Sequence, residues 1–443
     1  MPLGVNISLS DPVVPAIFGG HASVFPVDAL HKRYRQIRAD SQAIFARLDI
    51  EDHGVQSMPE VSPPKWHLAH TSWFFETFVL RRYLAAYKRF DPGFEYLFNS
   101  YYNAVGRQYP RPRSGLLARP TLARVMEYRA YVDAAVDRLL ENDAVAQDQN
   151  IEQILELGLH HEQQHQELLL TDIKYNFSIN PMAPAYDSGL VQPESREPGP
   201  MAWIEHGGDP VSIGHEGAAF AFDNELPRHP VILTPFALAR RPVTNGEYLE
   251  FIDDGGYAMA ALWLSDGWAE RQQQNWQGPL YWRRVESGWQ EFTLGGMRPL
   301  DLRAPVSHIS YYEADAYATW AGARLPREAE WEALAAREPV SGNLVQTGWL
   351  HPAAAPPATE NRPVQLFGDV WEWTASAYAP YPGYRAAPGA FGEYNGKFMC
   401  NQMVLRGGSC VTPMGHIRAS YRNFFYPRDR WQFSGLRLAK DLT

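Results

Sequence analysis

The stretch His160-His161-Glu162-Gln163-Gln164-His165-Gln166-Glu167 lies inside a helical hydrophobic pattern that runs from Asn150 to about Phe177. At 3.6 residues per turn, Ile151, Ile154, Gly158, His161, His165 and Leu168 share one stripe, so two histidines stand where a core face expects apolar side chains. Burying two imidazoles costs free energy unless something compensates them. Their i, i+4 spacing brings both rings within reach of one divalent ion, which would supply that compensation. The plainer alternative is a pair of core histidines satisfied by hydrogen bonds.

The same octet contains H-E-x-x-H, the signature of zinc proteases. A metzincin continues with x-x-G-x-x-H, whereas this chain continues Gln166-Glu167-Leu168-Leu169-Leu170. Other zinc proteases take a carboxylate from a downstream helix, and Glu194 lies in the Pro-containing segment Gln192 to Pro200, a poor base for a rigid ligand. A zinc hydrolase with Glu162 as its base therefore stands as a rival reading.

The chain has 443 residues, enough for two domains, and a formal net charge of -10. Without a long Lys/Arg run, that charge argues against nucleic acid or an anionic membrane as the main partner. Two cysteines, Cys400 and Cys410, are too few for a disulfide framework and suit a reduced, cytoplasmic protein. No stretch reaches the ~18 apolar residues of a membrane span, and Met1 to Gly20 lacks a basic leader, so residues 1–27 read as an N-terminal arm.

Helical spacing recurs from Ala29 to Leu48, then after Ser62-Pro63-Pro64 along Trp66, His70, Trp73, Thr77 and Leu80, and again from Thr121 to Leu140. With the histidine helix these make a four-helix bundle over residues 28–187. His70 faces the same interior as the His pair, and His67, one turn earlier, competes with it as third ligand. Three neutral imidazoles leave coordination positions open, and zinc and iron both suit them. Between the second and third helices a long loop carries Tyr101 and Tyr102, able to donate a proton near a metal, and Arg111 and Arg113, able to hold a carboxylate. The alternative there is an aromatic plug with solvated arginines. Residues 188–200 read as a linker, and 201–443 as a mixed α/β domain with hairpins such as Trp282 to Phe292 and helices at Tyr311–Ala321 and Arg327–Ala336.

Five separated motifs of the second domain resemble the formylglycine-generating-enzyme, or C-type-lectin-like, fold. They are Arg241-Pro242-Val243-Thr244-Asn245-Gly246-Glu247-Tyr248, Pro305-Val306-Ser307-His308-Ile309-Ser310, Ala323-Arg324-Leu325-Pro326-Arg327-Glu328-Ala329-Glu330-Trp331-Glu332, Gly368-Asp369-Val370-Trp371-Glu372-Trp373-Thr374 and Leu405-Arg406-Gly407-Gly408-Ser409. The copper enzyme of that family has a close cysteine pair after the last motif; here Cys410 stands alone there, so formylglycine generation is not expected. Trp66-His67-Leu68-Ala69-His70 and His161-Glu162-Gln163-Gln164-His165 resemble a DinB-like bundle.

The two halves together resemble the ergothioneine-biosynthetic sulfoxide synthases. The resemblance implies iron(II) on His70, His161 and His165, dioxygen as co-substrate, and joining of a thiol sulfur to imidazole C2 of hercynine, N,N,N-trimethylhistidine. It assigns hercynine contacts to Gln164 and Asn423. Tyr101 and Tyr102 resemble the branch that uses free cysteine and assigns a tyrosine to proton or electron delivery; Phe424 and Phe425 stand where the γ-glutamylcysteine branch has polar contacts. A selenoneine synthase, with a selenosugar donor, shares the two domains. The substrates are expected in a pocket at the domain interface. A lectin-like binding protein on a metal-stabilised scaffold is the rival from another class.

Overall fold

Four long helices build the N-terminal half of the computed structural model, which describes residues 27–141, 148–356 and 361–442. They are α1 (Val27–Phe45), α2 (Pro64–Phe75), α3 (Leu122–Leu140) and α4 (Gln149–Ser178). Residues 1–26 of the expected N-terminal arm lie outside the described residues. Proline at the first turn starts α2, as the Pro63-Pro64 pair suggests. Thr121 caps α3 by accepting the Arg124 amide at 3.2 Å, and Asp148 caps α4 by accepting the Asn150 amide at 2.8 Å.

The stripe from Trp66 to Leu80 is not one regular helix. After Phe75 the chain widens into a π turn, Glu76–Leu80, and ends at Tyr83. The turn re-phases the helix so that Glu76 is buried together with Phe78, Val79 and Leu80. The Glu76 carboxylate accepts from Tyr128 Oη at 2.7 Å, Tyr87 Oη at 2.8 Å and the Phe90 amide at 3.1 Å, which satisfies it without a counter-ion.

Gly158 lets α4 approach α2. A Cβ there would lie 2.6 Å from Phe75 Cε1 and 2.9 Å from Phe74 Cε1. Alanine would gain about 1 kcal/mol of helix propensity but must displace two packed rings, at about 1–3 kcal/mol. Gly158→Ala is therefore expected to lower the urea midpoint, against what propensity alone predicts.

The described residues of the C-terminal half form four small sheets. One joins Trp203–His206, Phe236–Ala239 and Ala439–Asp441, so the end of the domain closes on its beginning. Another orders Asn423–Phe425, Met403–Arg406, Trp371–Ala377 and Ser434–Gly435, the last pair parallel. The hairpin at Trp282 to Phe292 forms as expected, with Trp282 opposite Glu291. Helices α5 (Asn245–Asp253) and α6 (Ser265–Gln273) were not expected, while α7 (Tyr311–Trp320) and α8 (Glu328–Ala335) were. The acidic residues of the sequence motifs are paired: Glu332 with Arg406 of another motif, and Glu372 and Glu328 with arginines outside the motifs, Arg437 Nη2 at 2.6 Å and Arg422 Nε at 2.9 Å. These motifs are architecture before they are chemistry.

Helix α4 belongs to both halves. Its buried Glu167 accepts from Trp371 Nε1 at 2.7 Å, Ser409 Oγ at 2.6 Å and Thr412 Oγ1 at 2.7 Å. Gly407 aims Ser409 there from a left-handed conformation, φ 101°, in which a Cβ would meet Leu366 O at 2.5 Å. One α4 turn pair further, Lys174 Nζ lies 2.7 Å from His308 Nε2 and over the rings of Tyr281 and Phe433 at 4.6 and 4.5 Å. The His161 and His165 pair is thereby held at the seam of the domains. Among the described residues no helix is long and apolar enough to cross a membrane. Both cysteines are unpaired.

Candidate metal centre

His70 from α2 meets His161 and His165 from α4, with one donor nitrogen of each within 4.8 Å of the others. His70 Nε2 and His161 Nε2 are 3.2 Å apart. Nitrogens bound about 2.1 Å from one ion lie roughly 3.0–3.4 Å from each other, so this cluster needs little movement to close on a metal. The Phe98 carbonyl accepts from His70 Nδ1 at 2.6 Å, which leaves Nε2 without a hydrogen and able to bind. Burial, only partly opposed by that carbonyl, takes His70 down to about 3. Burial also takes His161 and His165 well below the usual imidazole range, each reinforced by the neighbouring rings. All three are neutral candidate ligands, and among the described residues His161 Nδ1 is buried without a hydrogen-bond partner. The set suits zinc or iron equally. Trp66 and Trp73 flank His70 as near-parallel rings at 4.6 and 5.5 Å, and Phe74 lies 4.8 Å from His161.

His67, the competing third ligand, is not in the cluster. Its Nδ1 lies 2.8 Å from His165 Nδ1 and its Nε2 lies 3.0 Å from Asp172 Oδ2. The middle acid of H-E-x-x-H is also engaged elsewhere. Glu162 is bound by Arg38 Nη1 at 2.8 Å, Arg129 Nη2 at 2.6 Å and Ser41 Oγ at 2.7 Å. Burial would raise its carboxyl, but Arg129 and Arg38 outweigh burial and hold it at about 2. A protease base must be unpaired and beside a metal-bound water; Glu162 is a buried ion-pair partner, which corrects the zinc-hydrolase reading. Ser41, His67, Glu162 and His165 line a cavity of about 10 Å³, room for about one water and too small for substrate.

Gln164 faces the C-terminal domain. Its Nε2 lies 2.8 Å from Tyr421 Oη, and its Oε1 accepts from Tyr394 Oη. Tyr394 also lies 5.7 Å from His161, ring to ring, and stacks on Phe222 at 5.4 Å. Behind Tyr421, His416 Nε2 is at 3.0 Å, His160 Nδ1 is 3.0 Å from His416 Nδ1, and Arg33 Nη2 is 3.0 Å from His160 Nε2. Sequence reasoning missed Tyr394, Tyr421 and His416, although His160 was visible in the octet itself.

The remaining expected residues lie at differing removes. Tyr102 is fully buried beside Trp73 at 5.6 Å and Phe78 at 5.2 Å, and Tyr101 aside its hydroxyl has no hydrogen-bond partner among the described residues. Tyr101, half-buried, stacks on Tyr102 at 4.6 Å and meets Tyr394 edge-on at 6.4 Å. Burial raises both phenols, Tyr101 to about 12 and Tyr102 further. Arg111 donates to Ser62 Oγ and Glu60 O, both at 3.1 Å, and lies over Trp66 at 5.8 Å, so its guanidinium is met by neutral oxygens and a ring. Phe424 stacks on Tyr378 at 4.0 Å, and Phe425 lies 6.0 Å from Trp431. Asn423 Oδ1 accepts from the next amide, Phe424 N, at 2.9 Å; it is Tyr421, two residues earlier, that bonds Gln164.

Residues 33–169 match the DinB superfamily, and residues 187–358 and 350–442 match the Sulfatase-modifying factor enzyme 1-like domain. The chain is 34% identical to "Hercynine oxygenase" of Mycobacterium tuberculosis over 410 residues, covering 87% of this chain and 92% of that one. It is 31% identical to the "Hercynine oxygenase" of Mycolicibacterium thermoresistibile over 449 residues, 94% of each. "Ergothioneine biosynthesis protein 1" of Schizosaccharomyces pombe is 30% identical over 235 residues, 50% of this chain and 28% of that one. With a histidine cluster on a DinB bundle, a docked sulfatase-modifying-factor-like domain and identity along nearly the whole length, the chain belongs to the hercynine oxygenase family of oxygenase-type enzymes.

Proposed function

We propose that this protein is an iron(II)- and dioxygen-dependent enzyme that joins the cysteine sulfur to imidazole C2 of hercynine, giving hercynyl-cysteine sulfoxide in ergothioneine biosynthesis. The observation that carries the reading is the convergence of three neutral imidazole nitrogens beneath the aromatic face of the second domain. Iron(II) on His70, His161 and His165 would supply dioxygen reduction and open positions for the substrates. The chain's own groups account for the rest. Gln164, held between Tyr394 and Tyr421, offers an amide to the hercynine end of the site. Tyr394 and Phe222 present ring faces suited to a quaternary ammonium. Arg111, with no carboxylate partner among the described residues, can take a substrate carboxylate. Closure of the two domains around α4 excludes water.

Tyr102 is the proton donor in this reading, because its hydroxyl is fully buried with no partner among the described residues other than the Tyr101 phenol, and it stays protonated. Tyr102→Phe is expected to slow sulfoxide formation by about 10²–10⁴-fold while hercynine affinity holds. Unchanged turnover in that variant would return Tyr102 to an aromatic plug.

Mass spectrometry of an aerobic reaction of iron(II)-loaded protein with hercynine and cysteine, beside an anaerobic control, tests the reading as a whole. An oxygen-dependent sulfoxide is the expected product. If hercynine binds but only a selenosugar is consumed, the donor assignment fails; if hercynine does not bind, the function fails.

A further inference from the structure

The three candidate ligands are held by different means. His70 is fixed by a backbone carbonyl, that of Phe98, and His161 Nδ1 has no partner among the described residues. His165 alone is held through side chains, His67 and then Asp172, at residues that the octet does not contain.

The direction of this chain of hydrogen bonds follows from its far end. The Ser62 backbone N–H can only donate, and it donates to Asp172 Oδ2 at 2.8 Å. The same oxygen lies 3.0 Å from His67 Nε2, so it accepts from both and His67 carries its hydrogen on Nε2. In a neutral imidazole the other nitrogen is then bare. His67 Nδ1 meets His165 Nδ1 at 2.8 Å, a contact that needs one hydrogen between the two nitrogens. With His67 neutral, that hydrogen sits on His165. That leaves His165 Nε2 bare, the form in which an imidazole can bind a metal. Asp172 and His67 are each only 2% exposed, so bulk water does not compete for either partner.

We propose that Ser62, Asp172 and His67 form a positioning relay that fixes His165 as its Nδ1–H tautomer and thereby sets the metal affinity of the histidine cluster. The relay rests on the reading of that cluster as a metal site. It predicts that the polarity of the acceptor behind His165 matters, more than the shape of the ring that provides it. His67→Phe keeps a ring but offers no acceptor. His67→Asn loses the ring and its bond to Asp172, yet places an amide oxygen where Nδ1 now lies. Asp172→Asn changes charge but not direction, because the Ser62 N–H draws the amide oxygen into the place of Oδ2. Asp172→Leu removes the anchor.

The test is anaerobic competition titration of the full-length protein with cobalt(II), a redox-silent probe, together with ring ¹⁵N NMR of the ion-free wild type. Affinity is expected to fall about 10–100-fold in His67→Phe and Asp172→Leu, and to stay close to wild type in His67→Asn and Asp172→Asn. The ion-free wild type should show hydrogen on His165 Nδ1 and His67 Nε2. A purely structural role predicts that His67→Asn is at least as damaging as His67→Phe, and that result would overturn the relay. So would a hydrogen found on His165 Nε2, a measurement that needs no variant to fold. If His161→Ala also binds cobalt(II) normally, it is the metal site itself that fails; if only the His67 variants bind normally, the relay fails alone.

Discussion

Replacing His161 by alanine is expected to weaken cobalt(II) or iron(II) binding by more than the roughly 10–100-fold cost of losing an outer partner, and to take sulfoxide formation below detection. His161 is the candidate ligand with no second duty. Among the described residues its Nε2 meets only the His70 Nε2, at 3.2 Å, and its Nδ1 is buried without a hydrogen-bond partner. Removing it therefore deletes contacts to Phe74 and Tyr394 but also removes an unsatisfied buried nitrogen, two effects of opposite sign. The ion-free stability should change little, while metal-induced stabilisation should vanish. In wild type, an ion at a hundred times its dissociation constant adds about 2.7 kcal/mol, which is readable as a thermal shift. A variant that keeps this shift would mean that the ion binds elsewhere.

Legibility followed the range of the interaction. The His161–His165 pair could be read because one turn of one helix sets its geometry, and His70 because its stripe had to face the same core. His67 could not be separated from His70 by periodicity, since what separates them is Asp172, 105 positions along the chain. Tyr394 reaches Gln164 across 230 positions from a segment without a motif. The second domain was legible because its motifs hold residues that pair in its core, Glu332 with Arg406 of another motif and Glu372 with Arg437 from outside them. Helix α5 was present in the sequence as the capping box Thr244-x-x-Glu247, whose side chains do cap each other's amides, but at nine residues it was too short for a periodic signal. The π turn after Phe75 had no local signal: it answers the buried Glu76 carboxylate, whose donors Tyr87, Phe90 and Tyr128 come from later in the chain.

Glu162→Gln is expected to cost about 3–5 kcal/mol of folding stability, the range for breaking a buried pair from one side, and to leave the chemistry of whatever folds intact. Arg38 Nη1 points at one carboxylate oxygen, and Arg129 Nη2 and Ser41 at the other. Whichever way a glutamine amide turns, its NH₂ faces a guanidinium that can only donate. Arg38 keeps Asp133 at 2.7 Å, but Arg129 loses its anion inside the bundle. Urea unfolding reads the loss, and Glu162→Leu with Arg129→Met should recover much of it, because a well-packed apolar pair can replace a buried ion pair. The pH dependence has a definite sign. The folded carboxyl sits at about 2 instead of 4.5, so folding favours its ionised form by roughly 3 kcal/mol. That contribution is complete above about pH 5 and is lost as pH falls through the ordinary carboxyl range toward 2. The stability gap between wild type and Glu162→Gln should accordingly narrow on acidification. A hydrolase base at this position would give the opposite pair of results, lost turnover with stability and its pH profile unchanged.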